Sequence, residues 1–414
     1  MVSPSMDIGG LRLFPALAAL LALSGCGSGQ SSSITQPTST QPSGRVAYAY
    51  VASAGSNPGS AGVIYEYAVM SDYSVSPLPQ VSIGAGIDPA AVVLAQGHAY
   101  VVNVGDGTIS QYDVAADQSL TPMNPATVTN PGMHTLGVAP VAATIDPTGS
   151  FLYVTNAADD TVSQFSITGS GQLVPLTPST VATGVDPVAI VDALVPDSTA
   201  AYYVVNSGAP GDTGTVSAYS SGENGALVPL GSDTPAAGTN PTAIAINDVS
   251  TNVYVMSNCD GAQCTGSIRQ FAVGSGGALT DTGVIASTGS HYDAVGMAIS
   301  QPGPNSYAYV LSNATGASTH TGALWQYGVG STGALTPASP PMLNVGAVAV
   351  GQTMQVGLLY VLTANSGANA NSGSTGGNIN VYAMGADGGA TLLGATKISV
   401  PHPLALAIQA LLPP

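Results

Sequence analysis

The sequence predicts an all-β protein, a seven-bladed β-propeller with four-stranded blades, and three observations carry that prediction. Tyr50, Tyr100, Tyr153, Tyr203, Tyr254, Tyr309 and Tyr360 each precede a valine and follow one another at 50 to 55 residues, the length of a blade of short strands. Hydrophobic residues make up 45% of the chain and charged ones 6%, and the 52 glycines suit packed sheets joined by tight turns, with little support for helix. A second set of seven apolar segments, beginning near Pro89, Pro140, Pro187, Pro241, Ala294, Val345 and Pro403, is out of step with the tyrosines. The first tyrosine run has no such segment before it, and the last segment, Pro403 to Ile408, has no tyrosine run after it. One blade is therefore expected to draw its innermost strand from the C-terminal residues and its other three from residues 46 to about 85, closing the ring without an open edge.

Residues 1–26 combine Arg12, an apolar run from Leu13 to Leu23, and the sequence Leu23, Ser24, Gly25, Cys26. The run is too short to span a bilayer as a mature helix and reads as a secretory signal. Its last four residues resemble the bacterial lipobox, in which the cysteine is lipidated and becomes the new N-terminus. Residues 27–45, rich in Ser, Thr, Gln and Pro, cannot bury a core and read as a flexible tether. The expected location is the bacterial cell envelope, periplasmic or on the outer surface, with membrane contact only through the lipid. Residues 46–414 are the propeller.

Each repeat then reads as four segments. An apolar run after an Asx-Pro-like pair comes first and the Tyr-Val run second. A third run follows, as in Ile109 to Val114 or Val162 to Ile167, and a Gly-rich turn such as Gly169 to Gln172 leads to the outermost segment. Alternation is imperfect because both faces of a blade lie against neighbouring blades.

A net charge of −17 with four Lys and Arg removes the counterion-release term that drives nucleic-acid binding. It also leaves little to offset a phosphate. The partners that fit are a small neutral carbohydrate or lactone, or another protein, and not nucleic acid.

Strand parity places the loops between second and third strands on the same face as the starts of the inner strands. The position before each inner strand reads Asp88, Ala139, Asp186, Asn240, Asp293, Asn344 and His402, a set expected to surround one mouth of the channel. Carboxylates, amides and an imidazole converging there would orient a hydroxylated ligand or bind a hard cation, so a divalent cation is the one cofactor considered. Asp and Asn before Pro also begin turns by bonding nearby backbone, and that alternative stays open. If the ring closes as expected, Asp88 and His402 are neighbours and the carboxylate favours the charged imidazolium. His134, in a lengthened segment, His291 and His320 fall on the same face, and His98 falls in an opposite turn. Cys259 and Cys264, with four residues between them, are expected to form a disulfide outside the cytoplasm, with a metal or redox role as the alternative.

Tyr153, Val154, Thr155 and Asn156 spell the namesake motif of the YVTN-repeat group, and the sequence resembles the seven-bladed lactonase-like propellers, which include 6-phosphogluconolactonase-type enzymes. The resemblance covers residues 46 to 414 and implies the same fold. For activity it implies acidic, His and Arg side chains near the channel mouth, and this chain departs from that pattern. Glu66 and Glu223 are its only glutamates, and Arg45, Arg269 and Lys397 all fall away from the axis. The sequence therefore favours a ligand- or protein-binding scaffold. A carbohydrate lactonase is the alternative; if the chain is an enzyme, it is a lactone hydrolase.

Overall fold

The computed structural model describes residues 44–411 apart from 56, 58, 132–138, 196–199, 232–233, 248, 250, 259–264, 291, 301–305, 315–320, 347, 356–357, 365–375 and 386. Residues 1–43, with Cys26 and nearly all of the expected tether, lie outside the described residues. So do His134, His291, His320, Cys259 and Cys264.

Seven antiparallel sheets follow one another along the chain. Blade 1 is ordered Pro403–Ala410, Arg45–Ser53, Ala61–Met70, Val75–Ile87 from inside to outside, so both ends of the chain complete it. Blade 2 runs Pro89–Ala95, His98–Asn103, Thr108–Val114, Leu120–Thr129, and blade 3 runs Pro140–Ile145, Phe151–Asn156, Thr161–Ile167, Leu173–Ala182. Blade 4 has Pro187–Leu194, Ala200–Asn206 and Thr213–Ser221, with an outer strand split into Leu227–Pro229 and Ala236–Thr239. Blade 5 is Pro241–Ile246, Asn252–Ser257, Thr265–Val273, Leu279–Ser290. Blade 6 is Tyr292–Ile299, Ser306–Ala314, Gly322–Val329, Leu335–Asn344, and blade 7 is Val348–Gln355, Leu358–Ala364, Gly377–Met384, Ala390–Ile398. The first strands of successive blades touch in an unbroken cycle, from Pro403–Ala410 round to Val348–Gln355 and back. That cycle is the ring.

The core is seven separate hydrophobic layers, one in each joint between neighbouring blades. This is why both faces of the inner strands are apolar. The Tyr-Val pair divides its work across the blade: Tyr100 packs in the joint with blade 3 and Val101 in the joint with blade 1, and the other six pairs repeat the arrangement.

A buried tyrosine needs a partner for its hydroxyl. In six blades that partner is a backbone carbonyl in the hairpin between the third and outer strands of the next blade. Tyr50 donates to Gln118 O at 2.8 Å, Tyr100 to Gly171 O at 2.6 Å, and Tyr153 to Gly225 O at 2.6 Å. Tyr203, Tyr254 and Tyr309 donate in the same way to Gly277, Gly333 and Gly388. In blade 4 the acceptor must be glycine twice over. Gly225 has φ +79°, and a Cβ on it would sit 2.2 Å from the Phe151 ring. The repeat signature is thus a latch between blades.

Candidate ligand site at the channel mouth

The ladder between first and second strands skips one residue near its start in every blade, and this bulge fixes which residues are equivalent. Pro89 pairs with Asn103 before the skip to Ala91, Ala294 with Ser312 before Gly296, and Ala349 with Thr363 before Gly351. Read on that register, the equivalent position at the start of each inner strand is His402, Asp88, Ala139, Asp186, Asn240, Asp293 and Val348. Six of the seven are those expected from sequence. Asn344 is corrected: it ends the outer strand of blade 6, and its Oδ1 accepts the Gly346 N–H at 2.6 Å as an ordinary turn former. Blade 7 has no proline to mark the start of its inner strand, and the equivalent position lies four residues later than expected, at Val348 rather than Asn344.

Four of these residues hold left-handed backbone, with φ of 49° at Asp88, 55° at Asp186, 48° at Asn240 and 50° at His402. The left-handed region is unfavourable for most L-residues, with Asp, Asn and His the best tolerated after glycine. The surrounding ladder enforces it. Carbonyl oxygens of His402, Asp88, Asp186 and Asn240 accept the N–H groups of Ala54, Val104, Ser207 and Asn258, each just past the second strand of the same blade.

Side chains at the mouth fall into two groups. Some are committed within the fold: Asp106 takes the Ile87 N–H at 2.9 Å and the Thr108 hydroxyl at 2.7 Å, and Asp160 takes the Asp186 N–H at 2.8 Å. Asp186 itself accepts the Ser207 hydroxyl at 2.7 Å, and Asn258 Oδ1 accepts the Ala294 N–H at 2.6 Å. Asp106, Asp160, Ser207 and Asn258 were not singled out from the sequence, although each lies within four residues of the end of a second strand. The second group makes no side-chain hydrogen bond or ion pair among the described residues, and it comprises Asp88, Asn240 and His402. The expected Asp88–His402 pair does not form, because each residue is held by its own blade's ladder. His402 is exposed and Asp88 half-buried.

The asparagine of the repeat, by contrast, is fully buried. Asn156 donates from Nδ2 to the Thr161 and Ser163 hydroxyls, both at 2.9 Å, and its Oδ1 accepts the Asn130 amide at 2.5 Å. Asn103 and Asn206 repeat the double donation, to Thr108 and Ser110 and to Thr215 and Ser217. Their Oδ1 atoms accept from Gly86 N and Thr183 Oγ1, on the segment arriving from the preceding blade. These amides hold the mouth together from beneath and have no surface to offer a ligand.

Cations are absent from the described part of the mouth. Arg45 opens the second strand of blade 1 at the opposite face, with its guanidinium 5.8 Å over the Tyr48 ring. Arg269 makes a two-point ion pair with Asp281 across the third and outer strands of blade 5, and Lys397 lies on the outer strand of blade 7. Nor do three His, Cys, Asp or Glu side chains among the described residues come together as metal ligands. Asp192 is raised to about 7 by burial, tempered by the Thr144 hydroxyl at 2.8 Å. It pairs with Tyr202 in the inner strand of blade 4, sealed from solvent rather than presented to the mouth.

The family described as lactonase, seven-bladed β-propeller, matches residues 48–193, from blade 1 to the inner strand of blade 4. No curated protein matches the sequence. Among solved structures, a putative 6-phosphogluconolactonase from Bacteroides fragilis is similar with a TM-score of 0.62 and 16% identity, covering 90% of this chain and 99% of that one. A periplasmic gluconolactonase from Pseudomonas aeruginosa gives 0.60 and 16%, covering 88% and 99%. A protein from Lactobacillus plantarum gives 0.62 and 17%, covering 88% and 99%. Ring and blade count agree with these structures: the chain is a seven-bladed β-propeller, and its residues 48–193 match the lactonase family of such propellers.

Proposed function

We propose that this propeller is an envelope-located, lipid-anchored scaffold that binds a neutral, hydroxyl-rich ligand of the carbohydrate or lactone class at the channel mouth. The observation that carries the reading is the trio Asp88, Asn240 and His402, polar side chains on enforced left-handed backbone with no partner among the described residues. Backbone held in a sparsely populated region gathers at functional sites. A carboxylate, an amide and an imidazole offer donors and acceptors to hydroxyls, and with every described cation elsewhere they offer nothing to a phosphate. The leader ending at Cys26 and the tether after it support the anchoring.

The second reading is hydrolysis of the same ligand class, favoured by the family match over residues 48–193 and by the gluconolactonase names of structural neighbours. Asp88 or His402 would take a proton from water as it attacks the lactone carbonyl. The ring C–O bond then breaks and the proton passes to the leaving oxygen, giving the hydroxy acid. Calorimetry with glucono-1,5-lactone, gluconate and their 6-phosphorylated forms tests both readings. Binding of the unphosphorylated compounds alone is the expected result, and tighter binding of the phosphorylated ones overturns the ligand class. Lactone turnover above the buffer rate that is lost in Asp88→Asn or His402→Ala selects the enzyme over the scaffold.

A further inference from the structure

The third strands carry a recurring glutamine at a ladder irregularity, and it serves as a bolt across the joint to the next blade. Gln111 Oε1 accepts the Leu173 N–H of blade 3 at 2.7 Å while its Nε2 donates to Pro125 O of its own outer strand at 3.1 Å. Gln164 does the same with Leu227 N and Pro178 O, and Gln326 with Ala390 N and Pro340 O. All three are fully buried. In blade 1 the matching position, in the same irregularity of the third-to-outer ladder, is Glu66.

Glu66 is likewise fully buried, and its Oε2 accepts the Leu120 N–H of blade 2, the counterpart of the bonds to Leu173 and Leu227. The contact is longer, at 3.2 Å. A carboxylate has no N–H to return to its own outer strand, and the outer strand supplies one in reverse: Gln80 Nε2 donates to Glu66 Oε1 at 3.3 Å and to Leu120 O at 3.0 Å. An ionised Glu66 therefore has two long bonds from neutral donors and no cation, which is poor compensation for a charge taken out of water. The ionisable groups around it offer no relief. Tyr50 pairs with it on the second strand, Tyr112 faces it from the third strand of blade 2, and Asp117 in the blade 2 hairpin adds like charge. Arg45 acts on Asp117.

We propose that Glu66 makes the joint between blades 1 and 2 a proton-operated latch, seated when the carboxyl is protonated and loosened when it ionises. The joint matters because blade 1 is the blade closed by both chain ends, and because His402 and Asp88 stand at its mouth. Burial raises the Glu66 pKa from 4.5 to about 7, against the opposing bonds from Leu120 and Gln80. The sign follows directly. A proton held more tightly in the folded state stabilises fully below the unfolded value of 4.5, and that contribution is lost as the pH rises through about 7.

The test is amide hydrogen exchange of the full propeller between pH 5 and pH 8.5, corrected for intrinsic rates, comparing Leu120 with Leu173. Both amides are bolted in the same way, one to Glu66 and the other to Gln111. The protection of Leu120 relative to Leu173 is expected to fall by about tenfold for each unit that the Glu66 pKa is raised, and to stay level in Glu66→Gln. Melting temperature is expected to drop less with rising pH in Glu66→Gln than in the parent, with Asp192 titrating alike in both. Parallel behaviour of the two amides across this range, in the parent protein alone, overturns the proposal even if the variant does not fold. Identical pH dependence of melting in parent and variant overturns it as well.

Discussion

Removing residues 401–414 is expected to abolish cooperative unfolding altogether. Pro403–Ala410 hydrogen-bonds along Ala47–Ser53, and its side chains serve two joints at once, with Leu406 and Ile408 in the layer shared with blade 7 and Ala405 and Ala407 in the layer shared with blade 2. Burying Leu406 and Ile408 contributes about 3 to 6 kcal/mol, against a net domain stability of about 5 to 15 kcal/mol. The deletion also uncovers Tyr48 and Tyr50 and leaves the backbone of Arg45–Ser53 unpaired beside the axis. A calorimetric scan of the truncated chain should show no sharp transition. Retention of the parent's melting temperature would contradict the closure.

Asn156→Ala should carry the largest cost of any single polar substitution described here, about 3 kcal/mol or more, because each buried group left unpaired costs about 1 to 3 kcal/mol. Two buried groups are stranded, the Ser163 hydroxyl and the Asn130 amide, and the half-buried Thr161 hydroxyl loses its donor. Those groups come from the blade itself and from the segment arriving from blade 2, so the loss weakens a blade and a joint together. Urea unfolding measures it. A loss under about 1 kcal/mol would mean that water replaces the amide and that the motif is not a latch.

The ring was legible because its repeat lies in large residues at fixed spacing. Tyr-Val pairs mark every second strand, and the missing partners at either end mark the closure. The partners of those tyrosines were not legible. Tyr153 meets Gly225, 72 residues later, and nothing local marks that glycine as an acceptor. Residue type alone also misled at the mouth. Asn344 looks like Asn240, but only the register shows that it closes an outer strand while Val348, at the start of the inner strand, takes the equivalent position. Glu66 read as an isolated acid away from the axis, and its meaning emerged only when Gln111, Gln164 and Gln326 were seen at equivalent positions. Asp106 and Asp160 look as suited to a ligand as Asp88, and only the structure shows their oxygens spent on backbone N–H groups.

The division between residues that latch the blades and residues that meet a ligand is tested most directly by the triple variant Asp88→Ala, Asn240→Ala, His402→Ala. A thermal-shift titration of this variant and the parent with glucono-1,5-lactone reads stability and binding together, since a ligand that binds the folded state raises its melting temperature. The account predicts that the unliganded variant melts within a few degrees of the parent and gains nothing from the lactone, while the parent is stabilised in a dose-dependent way. An equal ligand-induced shift in both proteins would contradict it.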